Sequence, residues 1–77
     1  MGLKGVADVL GVLPDGRFLA VECKTATGRI SPEQDAFIRN VNLRGGLAFV
    51  ARGLEDVKVH LEAYTNDVAR SVPKNAS

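Results

Sequence analysis

The sequence predicts an α/β domain: a mixed β-sheet, made of a β-hairpin and a third strand reached by a right-handed crossover, flanked by α-helices. Three observations carry this reading. Two apolar, β-branched runs, Val6 to Leu13 and Arg17 to Lys24, are separated by Pro14-Asp15-Gly16. Proline presets φ and glycine permits positive φ, so the pair reads as a hairpin. Ser31-Pro32-Glu33-Gln34 then announces a helix, and the short apolar run Leu47 to Ala51 follows it. Strand, helix, strand implies a parallel crossover, and such crossovers are right-handed in nearly all proteins.

The two hairpin strands are apolar on both faces, a pattern that suits a sheet covered on two sides. In the helix signal, Ser31 is the N-cap and Pro32 fits the first helical position. Glu33 complements the helix dipole and Gln34 completes a capping box. Phe37, Ile38 and Val41 supply the apolar face, and Gly45-Gly46 ends the helix. Leu54, Val57, Leu61 and Tyr64 recur at i, i+3, i+7 and i+10, a second amphipathic helix with Glu55, Asp56, Lys58, His60 and Glu62 outward. From Thr65 the periodicity fades. The expected organisation is one domain over 1–70 and a frayed tail over 71–77.

A chain of 77 residues has a small core; at this size about 60% of the unfolded surface can be buried, and a monomer is marginal. The net charge of +1 argues neither for nor against nucleic acid, so any such binding depends on local clustering. One cysteine excludes an intramolecular disulfide and a multi-cysteine zinc site. It fits a reducing, intracellular setting. No apolar stretch approaches the roughly 18 residues of a membrane span, and the N-terminus lacks the apolar region of a signal peptide.

Against this background Asp8, Glu22 and Lys24 stand out, two carboxylates and an amine among residues that otherwise read as buried strand. Burying an ionised group costs several kcal/mol unless it is paired or binds a metal. Glu22 and Lys24 lie two apart and share a strand face, and Cys23 points to the other side. With Asp15 at the turn centre, opposed hairpin residues sum to 30 and Asp8 faces Glu22. A strict two-residue Asp-Gly turn would put them on opposite faces, so the pairing requires an odd loop or a bulge. Opposed side chains have Cβ atoms about 5 Å apart, close enough to share one metal. Two carboxylates with carbonyl and water oxygens suit Mg²⁺ or Mn²⁺, and the backbone carbonyl of Cys23 can supply one oxygen. Lys24, no ligand itself, can orient or deprotonate a water and stabilise a pentavalent phosphate. These are the parts that metal-assisted phosphodiester hydrolysis needs. The competing explanation is a surface ion-pair cluster on a hairpin.

Asp8 followed by Glu22-Cys23-Lys24 is similar to the PD-(D/E)xK nuclease signature, with Ala7 where the usual proline precedes the aspartate. The longer pattern resembles the virus-type replication-repair nuclease (VRR-NUC) family. The matching residues are Gly5, Asp8, Gly16, Glu22, Lys24, Thr25, Gly28, Arg29, Ser31, Gln34, Phe37, Ile38, Gly45-Gly46, Ala48 and Val50. They span roughly residues 5 to 57. The triad alone is a weak pattern; the triad with Lys-Thr-x-x-Gly-Arg-x-Ser-x-x-Gln is a strong one. The resemblance implies a minimal restriction-endonuclease-like fold and a metal-dependent DNA nuclease. It implies that Asp8 and Glu22 bind metal, that Lys24 is catalytic, and that Gln34 lies at the site from the following helix. Stand-alone phage-type members resemble Holliday-junction resolvases and act as homodimers.

The expected function is therefore a DNA endonuclease of repair type, selective for branched DNA such as four-way junctions. It is expected to act as a homodimer in the cytoplasm of a prokaryotic host or its phage. Arg29 and Thr25 are candidate DNA contacts, against a solvated loop arginine and a strand-end hydroxyl without a role. Arg39 and Arg44, on or near the helix after the site, can add local positive charge. Cys23 reads as a small core residue and His60 as a surface residue. Two alternatives stand beside this reading: a non-catalytic nucleic-acid-binding module on the same fold, and a sequence-specific restriction-type enzyme, for which 77 residues leave little room.

Overall fold

Three strands, β1 (Val9–Val12), β2 (Phe18–Cys23) and β3 (Leu47–Ala51), form one sheet in the order β1-β2-β3. Helix α1 (Pro32–Leu43) connects β2 to β3, and α2 (Leu54–Ser71) follows β3. The computed structural model describes residues 7–71, with side chains through residue 69. The expected strand start at Val6 and residues 72–77 of the tail expected over 71–77 lie outside the described residues; Ser71, the first residue of that tail, is instead the last of α2. β1 pairs antiparallel and β3 parallel to the central β2, so the sheet is mixed, as the hairpin and crossover signals predict.

The hairpin loop fixes the register. Leu13 N–H donates to Arg17 O at 2.8 Å, and Gly16 N–H donates to Leu13 O at 2.8 Å. Gly16 has φ of 92°, the left-handed region that glycine adopts without a Cβ penalty. The loop is therefore Pro14-Asp15-Gly16, an odd loop, and Val9 pairs Val21 while Leu10 pairs Ala20. Opposed residues sum to 30.

Helix α1 begins and ends on its own sequence signals. Gln34 N–H donates to Ser31 Oγ (3.1 Å) and Ser31 N–H donates to Gln34 Oε1 (2.9 Å), a complete capping box. At the other end Gly45 N–H reaches Asn42 O (3.2 Å) and Gly46 N–H reaches Val41 O (2.9 Å). With Gly45 at φ of 89° this is a Schellman motif. The Asn42 side chain then pairs with both backbone groups of Ala48, at 2.9 and 3.0 Å, and anchors β3.

The core lies on both sides of β2 and β3. Ala7, Ala20 and Ala48 form one cluster, on which Phe37, Ile38 and Val41 of α1 pack. Three alanines leave room for the helix to approach the sheet closely. Val21, Phe49 and Ala51 form the other, with Leu19, Leu47 and Val57 against it.

Several expectations need correction. The sheet is not covered on both faces along its full width. Helices α1 and α2 pack on β2 and β3, and β1 is an exposed edge with Val9, Leu10 and Val12 at 48%, 50% and 75% exposure. Two helices joined to β3 do not reach the hairpin's outer strand. Asp8 is exposed, not buried. Cys23 is also exposed instead of sitting in the core, because it ends β2 where the cover over that face runs out. Leu54 is 84% exposed, since it is the first residue of α2, ahead of the turn in which Val57 meets the sheet.

Helix α2 does not fade at Thr65; it runs to Ser71. Its second half is held by the hairpin turn. Asp15 N–H donates to the Tyr64 hydroxyl at 3.3 Å, and the Arg17 guanidinium lies 5.2 Å from the Tyr64 ring centroid. His60 is exposed, as expected, but its ring stacks on Phe49 at 4.1 Å.

Candidate active site

The site is assembled at the C-terminal end of β2. There the chain of β2 is pinned from both sides. Cys23 N–H donates to Asp8 Oδ2 at 3.0 Å, extending the β1 side with a side chain after that strand has ended. Lys24 N–H donates to Ala51 O at 3.0 Å and continues the parallel ladder with β3. Asp8 stands just before the last register pair, Val9 with Val21, and its carboxylate is near enough to act on Glu22, which shares the β2 face of Ala20 that α1 covers.

Glu22 is the buried charge of the molecule, 3% exposed and the one buried polar or charged residue among the described residues. Its Oε1 accepts a hydrogen bond from Gln34 Nε2 at 2.9 Å, and Lys24 Nζ lies 3.7 Å from the same oxygen. Its Oε2 is buried with no hydrogen-bond partner. Burial pushes the Glu22 carboxyl above the ordinary glutamate range, and the neighbouring Asp8 carboxylate pushes it further; Lys24 pulls the other way and does not win. A buried carboxylate with one oxygen unpartnered and a second carboxylate nearby is stabilised by a proton or a cation.

Gln34 does two things with one amide. Its oxygen caps α1 and its nitrogen holds Glu22. The capping box therefore sets where α1 starts, and that start places the Gln34 donor over the end of β2. Both roles are visible in the sequence at one position, and the structure joins them.

The remaining candidates fall into two groups. Thr25 and Arg29 lie on the loop that follows Lys24, and both are exposed. Arg39 is on α1 and pairs with Asp35 at 3.2 Å. Arg44 caps the far end of α1, about 18 Å from its start at 1.5 Å per residue. It borders a cavity with Arg17, Phe18 and Gly46 at the opposite end of the sheet, away from Glu22. On the Lys24 side, an open cleft of about 370 Å³ is lined by Cys23, Lys24, Arg52, Gly53 and Leu54. Arg52 carries no sequence signal as a site residue: an arginine after a strand and before a helix reads as an ordinary loop residue. Its contacts form only when the loop after β2 comes beside the end of β3.

Among the described residues no group of three or more His, Cys, Asp or Glu side chains is arranged to hold a metal ion. No described helix is long and apolar enough to cross a membrane.

Comparison with curated proteins gave no match, and comparison with solved structures gave none. The profile of the VRR-NUC domain matches residues 2–55, a stretch that holds the hairpin, Asp8, Glu22, Lys24, the capped helix with Gln34, and β3. The chain belongs to the VRR-NUC domain family, nucleases of the PD-(D/E)xK type.

Proposed function

We propose that this chain is a divalent-metal-dependent DNA endonuclease, selective for branched DNA and active as a homodimer. The observation that carries the reading is the Glu22 carboxylate, buried with Oε2 unpartnered beside Asp8. A hard cation fits that donor set. Asp8, Glu22 and the Cys23 carbonyl would hold Mg²⁺ or Mn²⁺ with few protein oxygens, leaving most positions to water, as Mg²⁺ prefers. When bound, the cation supplies Lewis-acid polarisation of the phosphodiester.

The chain's own residues do the rest. Gln34 fixes Glu22 through Oε1, which leaves Oε2 without a hydrogen-bond partner and free to take a cation. Lys24, half-buried and held near Glu22, presents a cation to the negative charge that develops on the phosphoryl group and can orient the attacking water. Arg29 and Thr25, exposed on the loop that follows it, would contact the DNA backbone, and Arg39 would do so along α1 by exchanging its partner Asp35 for a phosphate.

The dimer is supported by the β1 edge. Leu10, Val12 and Phe18 alternate onto the same face as Asp8 and Glu22, and all three are exposed. An exposed apolar edge strand is a surface that chains normally cover. A second copy on this edge would put two sites on one assembly, as cutting paired strands of a junction requires.

The test is cleavage of labelled linear, flap and four-way-junction DNA with Mg²⁺ or Mn²⁺. The junction should be cut preferentially by wild type. Lys24→Ala should fold and bind DNA yet lose roughly 10²–10³-fold in kcat, the usual cost of one charge-stabilising donor. Tight junction binding without cleavage under either metal would establish the non-catalytic module instead.

A further inference from the structure

We propose that Arg52 is a positioning residue for Lys24, acting through the turn that follows β2. The inference rests on the nuclease reading, in which Lys24 works on the scissile phosphate. Arg52 comes directly after β3, and its backbone N–H is held by Asp56 Oδ2 at 2.8 Å in the first turn of α2. From that fixed base its side chain reaches back across the sheet end. Nη1 donates to Thr25 O at 2.8 Å and to Gly28 O at 2.6 Å.

Those two carbonyls belong to one tight turn, closed by Gly28 N–H to Thr25 O at 3.2 Å. The turn lies on Lys24. A Cβ placed on Gly28 would stand 3.6 Å from Lys24 Cδ and 3.0 Å from Thr25 Oγ1. Residues 24–31 contain no helix or strand, so the path of this segment depends on such local ties. Arg52 therefore joins the end of β3 to the turn, and the turn bounds the aliphatic stem of Lys24, whose amine sits near Glu22.

The contact has the character of a brace. A guanidinium group is planar and keeps its N–H bonds in a fixed fork; an ammonium on a flexible stem does not. Catalysis is sensitive to such bracing, because a displacement of about 1 Å at a reacting group can cost roughly 10²-fold in rate. Arg52 does not need to touch DNA to matter.

The experiment compares wild type, Arg52→Ala, Arg52→Lys, Lys24→Ala and the Arg52→Ala/Lys24→Ala double variant on four-way-junction DNA with Mn²⁺. Thermal midpoints confirm that each is folded, and Arg52→Lys serves if Arg52→Ala is not. Arg52→Ala should lose roughly 10- to 100-fold in kcat with KM unchanged, and Arg52→Lys should recover part of it. The double variant should be no slower than Lys24→Ala, as expected when one residue acts through the other. In metal-free protein labelled with ¹³C-lysine, the Lys24 Cε resonance should shift in Arg52→Ala. Unchanged kcat and an unmoved Lys24 resonance would overturn the proposal. So would a raised KM with a salt slope lowered by about one, which marks a direct phosphate contact. If Lys24→Ala cleaves as fast as wild type, the role of Lys24 fails and this inference fails with it. If Lys24→Ala is inactive and Arg52→Ala is fully active, only the positioning role is lost.

Discussion

Glu22→Gln should make the metal-free protein more stable while abolishing its activity. In the wild type, Oε1 of Glu22 is satisfied by Gln34 and Oε2 is buried without a partner. A glutamine of the same shape keeps an oxygen for the Gln34 amide. It puts a neutral NH₂ donor where the unpartnered Oε2 was and removes the repulsion between Glu22 and the neighbouring Asp8 carboxylate. Leaving a buried polar atom unsatisfied costs about 1–3 kcal/mol. The lost ion pair with Lys24, at 3.7 Å and partly exposed, offsets less than about 1 kcal/mol. The net gain should lie near 1–2 kcal/mol, and each kcal/mol moves Tm by about 4–8 °C at this size. The gain should depend on pH. The folded state raises the Glu22 pKa, so wild-type stability is fully present below the ordinary glutamate value of 4.5 and is lost as pH rises above it through the raised value. Glu22→Gln has no such group, so the two proteins should converge at acid pH and separate toward neutrality. Urea denaturation in EDTA from pH 4 to pH 8 measures this, and Mn²⁺ should raise the wild-type midpoint but not that of Glu22→Gln. A variant less stable than wild type in EDTA at neutral pH would refute the claim that Glu22 is held at a cost.

Three further outcomes follow from the same geometry. Gln34→Ala keeps the bond from the residue-34 backbone N–H to Ser31 Oγ but removes the side-chain acceptor for Ser31 N–H and the donor to Glu22, and should cost about 1–3 kcal/mol in urea denaturation. Gln34→Glu keeps the capping box but adds a third carboxylate beside Glu22, so in EDTA it should approach wild-type stability as pH falls; pH-independent loss would show that the cap alone matters. Arg29→Ala should lower the salt slope of DNA binding by about one, measured by fluorescence anisotropy, and an unchanged slope removes Arg29 from the interface. Val12→Arg, on the exposed β1 edge, should shift the mass by light scattering from about 16 kDa, twice 8.2 kDa, to the monomer value with the fold intact. An unshifted dimer would move the interface elsewhere.

Much of this protein is written in local signals that act without the rest of the chain. Pro14-Asp15-Gly16 marks the turn locally, since Gly16 tolerates the positive φ found there, but the choice of a three-residue loop over a two-residue one, and with it the register of Val9 on Val21, is settled only in the folded hairpin. Ser31 to Gln34 is enough to start α1, and Gly45-Gly46 to stop it, because these residues satisfy helix ends from within the segment. Spacing puts Glu22 and Lys24 on one strand face and offers Asp8 as their neighbour, whereas the place of Gln34 beside them comes from the family resemblance. What the tertiary structure decided depends on which surfaces meet. α2 outlasts its weak periodicity because Tyr64 finds Asp15 and Arg17 on the hairpin turn. Cys23 and β1 are apolar in pattern yet exposed, since periodicity says which residues share a face and not whether a helix reaches that face. Arg52 is assigned by a contact 27 residues away in sequence, between its guanidinium and Thr25 O. No local rule encodes it: it exists only because parallel pairing brings the ends of β2 and β3 together.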